Sequence, residues 1–125
     1  MNMQESGEMY LETILILKNR QDTVRAIDIA ENMKFSKPSV SRALSILRDE
    51  NYISVDEKGF IKLTRKGSLV AKKIYERHVV LSDMLIALGV DKKIALDDAC
   101  RIEHVISDQS FAAIKKHIAE YRKGQ

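Results

Sequence analysis

Cys100, Glu103 and His104 fall close together in the run Asp97-Asp98-Ala99-Cys100-Arg101-Ile102-Glu103-His104. On a helix, positions i, i+3 and i+4 share one face, so this spacing sets a thiol, a carboxylate and an imidazole side by side. These are three of the side chains that bind transition-metal ions best. A helix shaped only by packing has no use for all three on one stripe, so the pattern points to a metal site. Thiol and imidazole ligate only when deprotonated, so affinity for a cation should fall in acid.

The elements that must hold this trio can be read from hydrophobic period and capping residues. The trio belongs to a helix expected over 92–106. Before it runs a long helix, about 65 to 88, capped by Thr64 and stopped by Gly89. After it, Ser107 or Asp108 caps a last helix that continues to about Arg122, with Gly124 closing the pattern. Nearer the N-terminus, residues 5–20 carry an apolar stripe of Tyr10, Ile14 and Leu17, widened by Leu11 and Leu15. Asn19 to Asp22 break it, and Thr23-Val24-Arg25 is short and β-prone. A short helix over 27–33 lacks a good N-cap side chain, although Asp28 suits its positive first turn. Lys34-Phe35 is a tight connection, Ser36 caps the next helix and Pro38 sits in its first turn. That helix, 37–50, buries Val40, Ala43, Leu44 and Leu47. Residues 52–55 and 60–63 alternate as strands around the turn Asp56-Glu57-Lys58-Gly59, a β-hairpin.

Composition limits the possible functions. With 125 residues and 45% apolar content the chain suits one compact domain or two small ones. No apolar run approaches the ~18–20 residues of a membrane span, so no membrane partner is expected. The polar, acidic start from Met1 to Glu8 is unlike a signal peptide, and a single cysteine excludes an internal disulfide. Together these point to the cytoplasm, where the thiol stays reduced. The net charge of +3 is unevenly spread: residues 24–73 hold 11 Lys/Arg against 6 Asp/Glu. A positive field confined to one part of the chain is the footprint of a nucleic-acid binder.

Helix, short turn, helix and hairpin in that order make a winged helix-turn-helix. The fold expected is mainly α, with a winged helix-turn-helix DNA-binding domain over 1–72 and an all-α metal-binding and dimerisation domain over 73–125. The helix at 37–50 is the candidate DNA reader. Ser36, Lys37, Ser39, Ser41 and Arg42 offer small hydroxyls and two cations near its N-terminus, which lets the helix approach the major groove and its N–H groups meet phosphate. Arg42 can pair with a guanine edge, Pro38 can touch a thymine methyl, and Lys58 at the hairpin tip can contact phosphate, with Lys62, Arg65 and Lys66 nearby. One such domain makes few contacts, so a homodimer on double-stranded operator DNA is expected, reading two half-sites about one turn apart.

The chain resembles the metal-dependent repressors of the diphtheria toxin repressor type, which include iron-dependent regulators and manganese transport regulators. The resemblance spans nearly the whole chain and rests on Glu8-Met9-Tyr10-Leu11-Glu12, Ile29-Ala30-Glu31, Ser36-Lys-Pro-Ser-Val-Ser41, Leu63-Thr-Arg-Lys-Gly67, Glu76-Arg77-His78 and, most specifically, Ala99-Cys-Arg-Ile-Glu-His104. It implies an activating site of the iron type made by Met9, Cys100, Glu103 and His104. The manganese type has Asp and Glu where this chain has Met9 and Cys100, and adds two ligands that match Glu12 and His78. The ancillary site of the iron type is kept less well: His78 matches, but its Glu falls on Ser82 and its second His on Leu96, with Asp83 a partial substitute. Many iron-type members continue into an SH3-like third domain where this sequence stops, so two domains are expected.

The mixed soft set favours Fe(II) as cofactor, with Mn(II) second, and Co(II), Ni(II) or Zn(II) as in vitro substitutes. The expected role is a transcriptional regulator, a repressor of metal-uptake genes that binds a palindromic operator as a dimer when loaded with metal. The competing readings are a manganese-responsive repressor of the same family and a metal-independent winged-helix regulator that senses oxidants through Cys100. No catalytic role is expected, because the chain has no His-Glu-x-x-His run, nucleophile elbow or Gly-rich phosphate loop.

Overall fold

The structure, a computed structural model, describes residues 3–123. Along them run α1 (Met3–Arg20), α2 (Ala26–Met33), α3 (Lys37–Asp49), β1 (Ile53–Val55), β2 (Ile61–Leu63), α4 (Arg65–Ala87), α5 (Lys92–Ile102) and α6 (Asp108–Lys123). The chain divides into two compact units between Lys73 and Ile74, a point inside α4. Gly124, expected to close the last helix, lies outside the described residues.

The first unit is a winged helix-turn-helix. The stripe Tyr10, Leu11, Ile14 and Leu17 of α1 is buried against Ile29 and Ala30 of α2, Val40, Ala43, Leu44 and Leu47 of α3, and Ile53 and Ile61 of the hairpin. Each large aliphatic side chain removed from water in this way contributes about 1.5–3 kcal/mol. Tyr10 also packs a tilted ring on Phe35, with centroids 6.2 Å apart, and burial pushes its phenol above the ordinary pKa of 10.0. The start of α2 is held by its third residue: the Asp28 carboxylate reaches back to accept the Arg25 N–H at 2.8 Å. Lys34 closes α2 in the left-handed conformation, φ 59°, which turns the chain into α3 within a few residues. Ser36 caps α3 as expected, its hydroxyl accepting from Ser39 N at 3.3 Å.

In the wing, β1 and β2 pair antiparallel with Ile53 opposite Leu63 and Val55 opposite Ile61. The Asp56 carboxylate fastens the turn by accepting the N–H groups of Lys58 and Phe60, both at 2.9 Å, and Gly59 takes φ 82° there. The β-prone segment before α2 lies beside the wing, since Ile61 N–H donates to Val24 O at 2.8 Å. Thr64 then seats α4: its hydroxyl donates to Asn51 O at 2.7 Å and accepts from Gly67 N at 3.1 Å.

The second unit is all helical. Its buried apolar side chains are Ile74 and Leu81 of α4, Ala95 and Ala99 of α5, and Phe111 of α6. Asp91 caps α5 through its carboxylate, at 3.2 Å from Lys93 N. No helix among the described residues is long and apolar enough to cross a membrane.

Candidate metal centre and nucleic-acid face

Two ligand candidates of the second unit, His78 and His104, converge on Glu103. Its carboxylate is 0% exposed. One oxygen, Oε2, lies 2.9 Å from His78 Nδ1, and the other, Oε1, lies 3.4 Å from His104 Nε2. The His104 imidazole is itself 3% exposed, and that of His78 25%. A carboxylate withdrawn from water must be compensated by charge or by hydrogen bonds. Oε1 accepts no hydrogen bond among the described residues. Two atoms each ~2.1 Å from one ion stand roughly 3.0–3.4 Å apart. The 3.4 Å between Glu103 Oε1 and His104 Nε2 therefore suits a cation better than a direct bond. Carboxylate and imidazole together, buried and with an oxygen unserved, fit a divalent metal ion.

The helix carrying the trio is shorter than its sequence pattern predicts. The pattern extends over 92–106, but α5 ends at Ile102 and Glu103 is its C-cap, still helical at φ −58°, ψ −26°. Cys100 and Glu103 thus keep their i, i+3 relation, while His104 lies in the turn beyond. The cause is local. Val105 and Ile106 both donate to Ile102 O at 3.0 Å, which tightens the last turn, and Ser107 already starts the next helix by accepting from Ser110 N at 3.1 Å. Cys100 is partly buried one turn before Glu103.

Met9 and Glu12 belong to the first unit, on α1, in i, i+3 relation. Met9 is partly buried and Glu12 is 8% exposed, low for a carboxylate on a surface helix. Ser82, where the resemblance places an ancillary glutamate, is buried and spends its hydroxyl on His78 O at 2.5 Å. Leu96 is partly buried and Asp83 exposed.

The DNA-reading candidates sit on the outer side of α3 and on the wing. Lys37, Pro38, Ser41 and Arg42 are exposed, Ser39 is partly buried, and Ser36 serves as the cap. Ser36, Ser39 and Arg42 line a shallow depression with Tyr10, Phe35 and Ile46. Lys58 is exposed at the turn of the wing. Lys66, grouped above with the phosphate contacts, is exposed but folds back along the protein: its ammonium donates to Glu50 O at 3.1 Å and lies 4.1 Å over the Tyr52 ring. Arg25, not singled out from the sequence, stacks 4.6 Å from the Phe60 ring centroid beside the wing.

Arg77 stands out in the sequence only as part of a motif. It is 6% exposed and donates from Nη1 to Glu103 O at 3.2 Å and Ile106 O at 2.8 Å, while Nη2 pairs with Asp108. The one signal for it in the sequence is its place next to His78.

Residues 2–60 match the family model described as iron-dependent repressor, N-terminal DNA binding domain, and residues 64–123 match iron-dependent repressor, metal binding and dimerisation domain. An uncharacterised HTH-type transcriptional regulator of Methanocaldococcus jannaschii is 30% identical over 96% of this chain and 98% of its own length. The HTH-type transcriptional regulator MntR of Shouchella clausii is 30% identical over 96% of this chain and 84% of its own. Among solved structures, that of the manganese regulator SloR superposes with a TM-score of 0.81 at 28% identity over 90% of this chain; the chain spans about half the length of that protein, 53%. With both halves matched in order and a full-length relative at this identity, the chain belongs to the iron-dependent repressor family of metal-dependent transcriptional repressors.

Proposed function

We propose that this chain is a repressor whose hold on a palindromic operator is switched on by a divalent metal, with Fe(II) the preferred ion, and that it acts as a homodimer on genes of metal uptake. The observation that carries the proposal is Glu103: a fully buried carboxylate with an imidazole nitrogen near each oxygen and one oxygen unserved by any donor among the described residues. Such a group is a cost to an apo protein and an asset to a metal site.

His104 and Cys100 complete the ligands on α5 and its turn, and Met9 and Glu12 supply those on α1. The thioether and thiol favour Fe(II) over Mn(II). His78, hydrogen-bonded to Glu103, either orients that carboxylate or serves a second ion beside the first. A bound divalent ion would supply a fixed positive charge for these ligands to neutralise. Met9 and Glu12 provide the differential affinity for the DNA-competent state that any such switch needs. At the DNA, Ser36, Lys37, Pro38, Ser39, Ser41 and Arg42 read the groove, and Lys58 takes phosphate.

Mn(II) is the second reading, favoured by the oxygen and nitrogen donors that His78, Glu103 and Glu12 provide. SloR, similar to this chain, is itself a manganese regulator. The test is metal analysis of protein purified under reducing, anaerobic conditions, followed by gel-shift titration with each ion. Operator binding in chelator equal to that with metal would sink the switch. Activation by Mn(II) at lower free concentration than Fe(II) would reverse the choice of ion. Loss of DNA binding on peroxide treatment, in protein stripped of metal, would favour Cys100 as an oxidant sensor instead.

A further inference from the structure

We infer that Arg77 is a positioning residue for the metal centre, holding the turn that carries Glu103 and His104 in the geometry a metal ion requires. The inference rests on the metal-site reading above.

Consecutive residues on one helix address the same target from two sides. His78 reaches the Glu103 side chain, Nδ1 to Oε2 at 2.9 Å. Arg77 reaches the Glu103 main chain, Nη1 to O at 3.2 Å, and the carbonyl of Ile106 at 2.8 Å with the same nitrogen. Its second terminal nitrogen pairs with Asp108, the first residue of α6, and its guanidinium lies 5.5 Å from the Phe111 ring centroid. A single planar fork therefore ties α4 to the end of α5 and the start of α6. The carbonyls it takes come at and after the C-terminus of α5, where main-chain acceptors have no helical partner and the dipole is negative, so a cation suits both terms.

The chemistry explains why this position is occupied by arginine. From Glu103 to Ser107 the chain leaves α5 through a turn: Glu103 N still bonds to Ala99 O at 2.9 Å, and Val105 N and Ile106 N bond back to Ile102 O at 3.0 Å. Two ligands sit at this helix end, where the carbonyls of Glu103 and Ile106 are taken by Arg77 and not by a further helical turn. Arg77 is buried with a side-chain exposure of 7%, a large desolvation cost for one guanidinium. That cost is matched by bonds made almost wholly to this turn. Lysine would keep the charge but could not present the same fork to two carbonyls and a carboxylate. Partners that orient metal ligands from outside typically change affinity by ~10–100-fold when removed.

The experiment uses Co(II) as the probe, because its visible spectrum reports ligand number and geometry directly. Unaltered protein, Arg77→Lys and Glu103→Ala are titrated with Co(II) under reducing conditions, and each is melted in chelator by circular dichroism. Arg77→Lys should bind Co(II) ~10–100-fold more weakly, with shifted ligand-field bands, while Glu103→Ala loses the site. A purely structural Arg77 would lower the melting temperature and leave the affinity and bands of the folded protein unchanged, which would overturn the inference. Glu103→Ala binding Co(II) as well as the unaltered chain would instead overturn the metal-site reading itself. Should Arg77→Lys fail to fold, Asp108→Ala carries the test. Asp108 is 77% exposed, so the fold tolerates the change while the fork loses its outer anchor. A several-fold weaker Co(II) affinity is then expected, and an unchanged one counts against Arg77.

Discussion

Glu103 sets a conflict between folding and function that can be measured. Glu103→Gln keeps the volume and one acceptor for His78 Nδ1, now at 2.9 Å from Oε2, but removes a charge buried at 0% exposure. An ionised carboxylate withdrawn from water costs far more than a neutral amide of the same shape. In chelator the variant should therefore melt at the same temperature as the unaltered chain or above it. With the activating ion at 100 times its dissociation constant, the unaltered chain gains about 2.7 kcal/mol and the variant gains little. Paired calorimetric scans with and without metal check both halves. A variant that melts several degrees lower in chelator would mean that the carboxylate is chiefly the structural partner of His78. Ser36 carries a second test. Its hydroxyl accepts Ser39 N–H at 3.3 Å and meets Ser39 Oγ at 2.9 Å, so it serves the helix before it can serve DNA. Ser36→Ala should cost about 1 kcal/mol in urea denaturation, the usual worth of an N-cap. A variant of unchanged stability would show that the cap contributes nothing here.

Two glycines divide the elements into places where the backbones touch and places where they do not. A Cβ on Gly67 would stand 2.0 Å from Tyr52 O, so α4 leaves the wing only because this position has no side chain. Gly67→Ala must push the helix from the Thr64 cap and should cost about 3 kcal/mol or more. Gly7 lies inside α1, where an added Cβ meets nothing nearer than Leu47 Cδ2 at 3.6 Å. Gly7→Ala should gain roughly 0.5–1 kcal/mol by helix propensity alone. Urea midpoints that moved in one direction for both variants would contradict this packing. The elements themselves are largely legible in the sequence. Alternation around Asp56 to Gly59 marks the hairpin, Ser36 and Pro38 mark the start of α3, and the apolar periods mark the buried faces of α1 and α3. What the sequence hides is of two kinds, main-chain bonds that close a helix early and partners distant along the chain. The end of α5 at Ile102 is of the first kind, set by a carbonyl shared between Val105 and Ile106 that no hydrophobic period shows. Arg77 enters the sequence reading only inside the motif Glu76-Arg77-His78, with no role until the fold places Glu103, 26 residues on, against it. Lys66 reads as a phosphate contact until Tyr52 and Glu50 claim its ammonium. At Glu103, the pairing with His104 is legible because the two are neighbours in sequence, whereas His78, 25 residues away at 2.9 Å, enters only through the resemblance.

In the molecule as a whole, the uneven charge and the buried ligands should be thermodynamically linked. Residues 24–73 hold 11 cationic side chains against 6 anionic ones, so binding to DNA should weaken steeply as salt rises. Lys58→Ala should reduce the slope of log K against log salt by about 1 for each phosphate it no longer neutralises and weaken all sequences alike, whereas Arg42→Ala should cost about 1–3 kcal/mol on the preferred sequence only. The linkage itself gives the stricter prediction. If loading with metal tightens operator binding by some factor, operator DNA must tighten metal binding by the same factor, because both sides of the cycle end at one complex. The DNA for this measurement is a duplex selected from a random pool by the metal-loaded protein, and a shuffled duplex serves as control. Metal affinity is read by competition with a fluorescent chelator, with each duplex in turn, and operator affinity by anisotropy with and without metal, all at one salt concentration. The two ratios should agree, and Glu103→Gln should bring both close to one. Unequal ratios would mean that metal acts on the amount of folded or dimeric protein rather than on the affinity of the state that meets DNA. Equal ratios that survived Glu103→Gln would place the activating ion elsewhere in the chain.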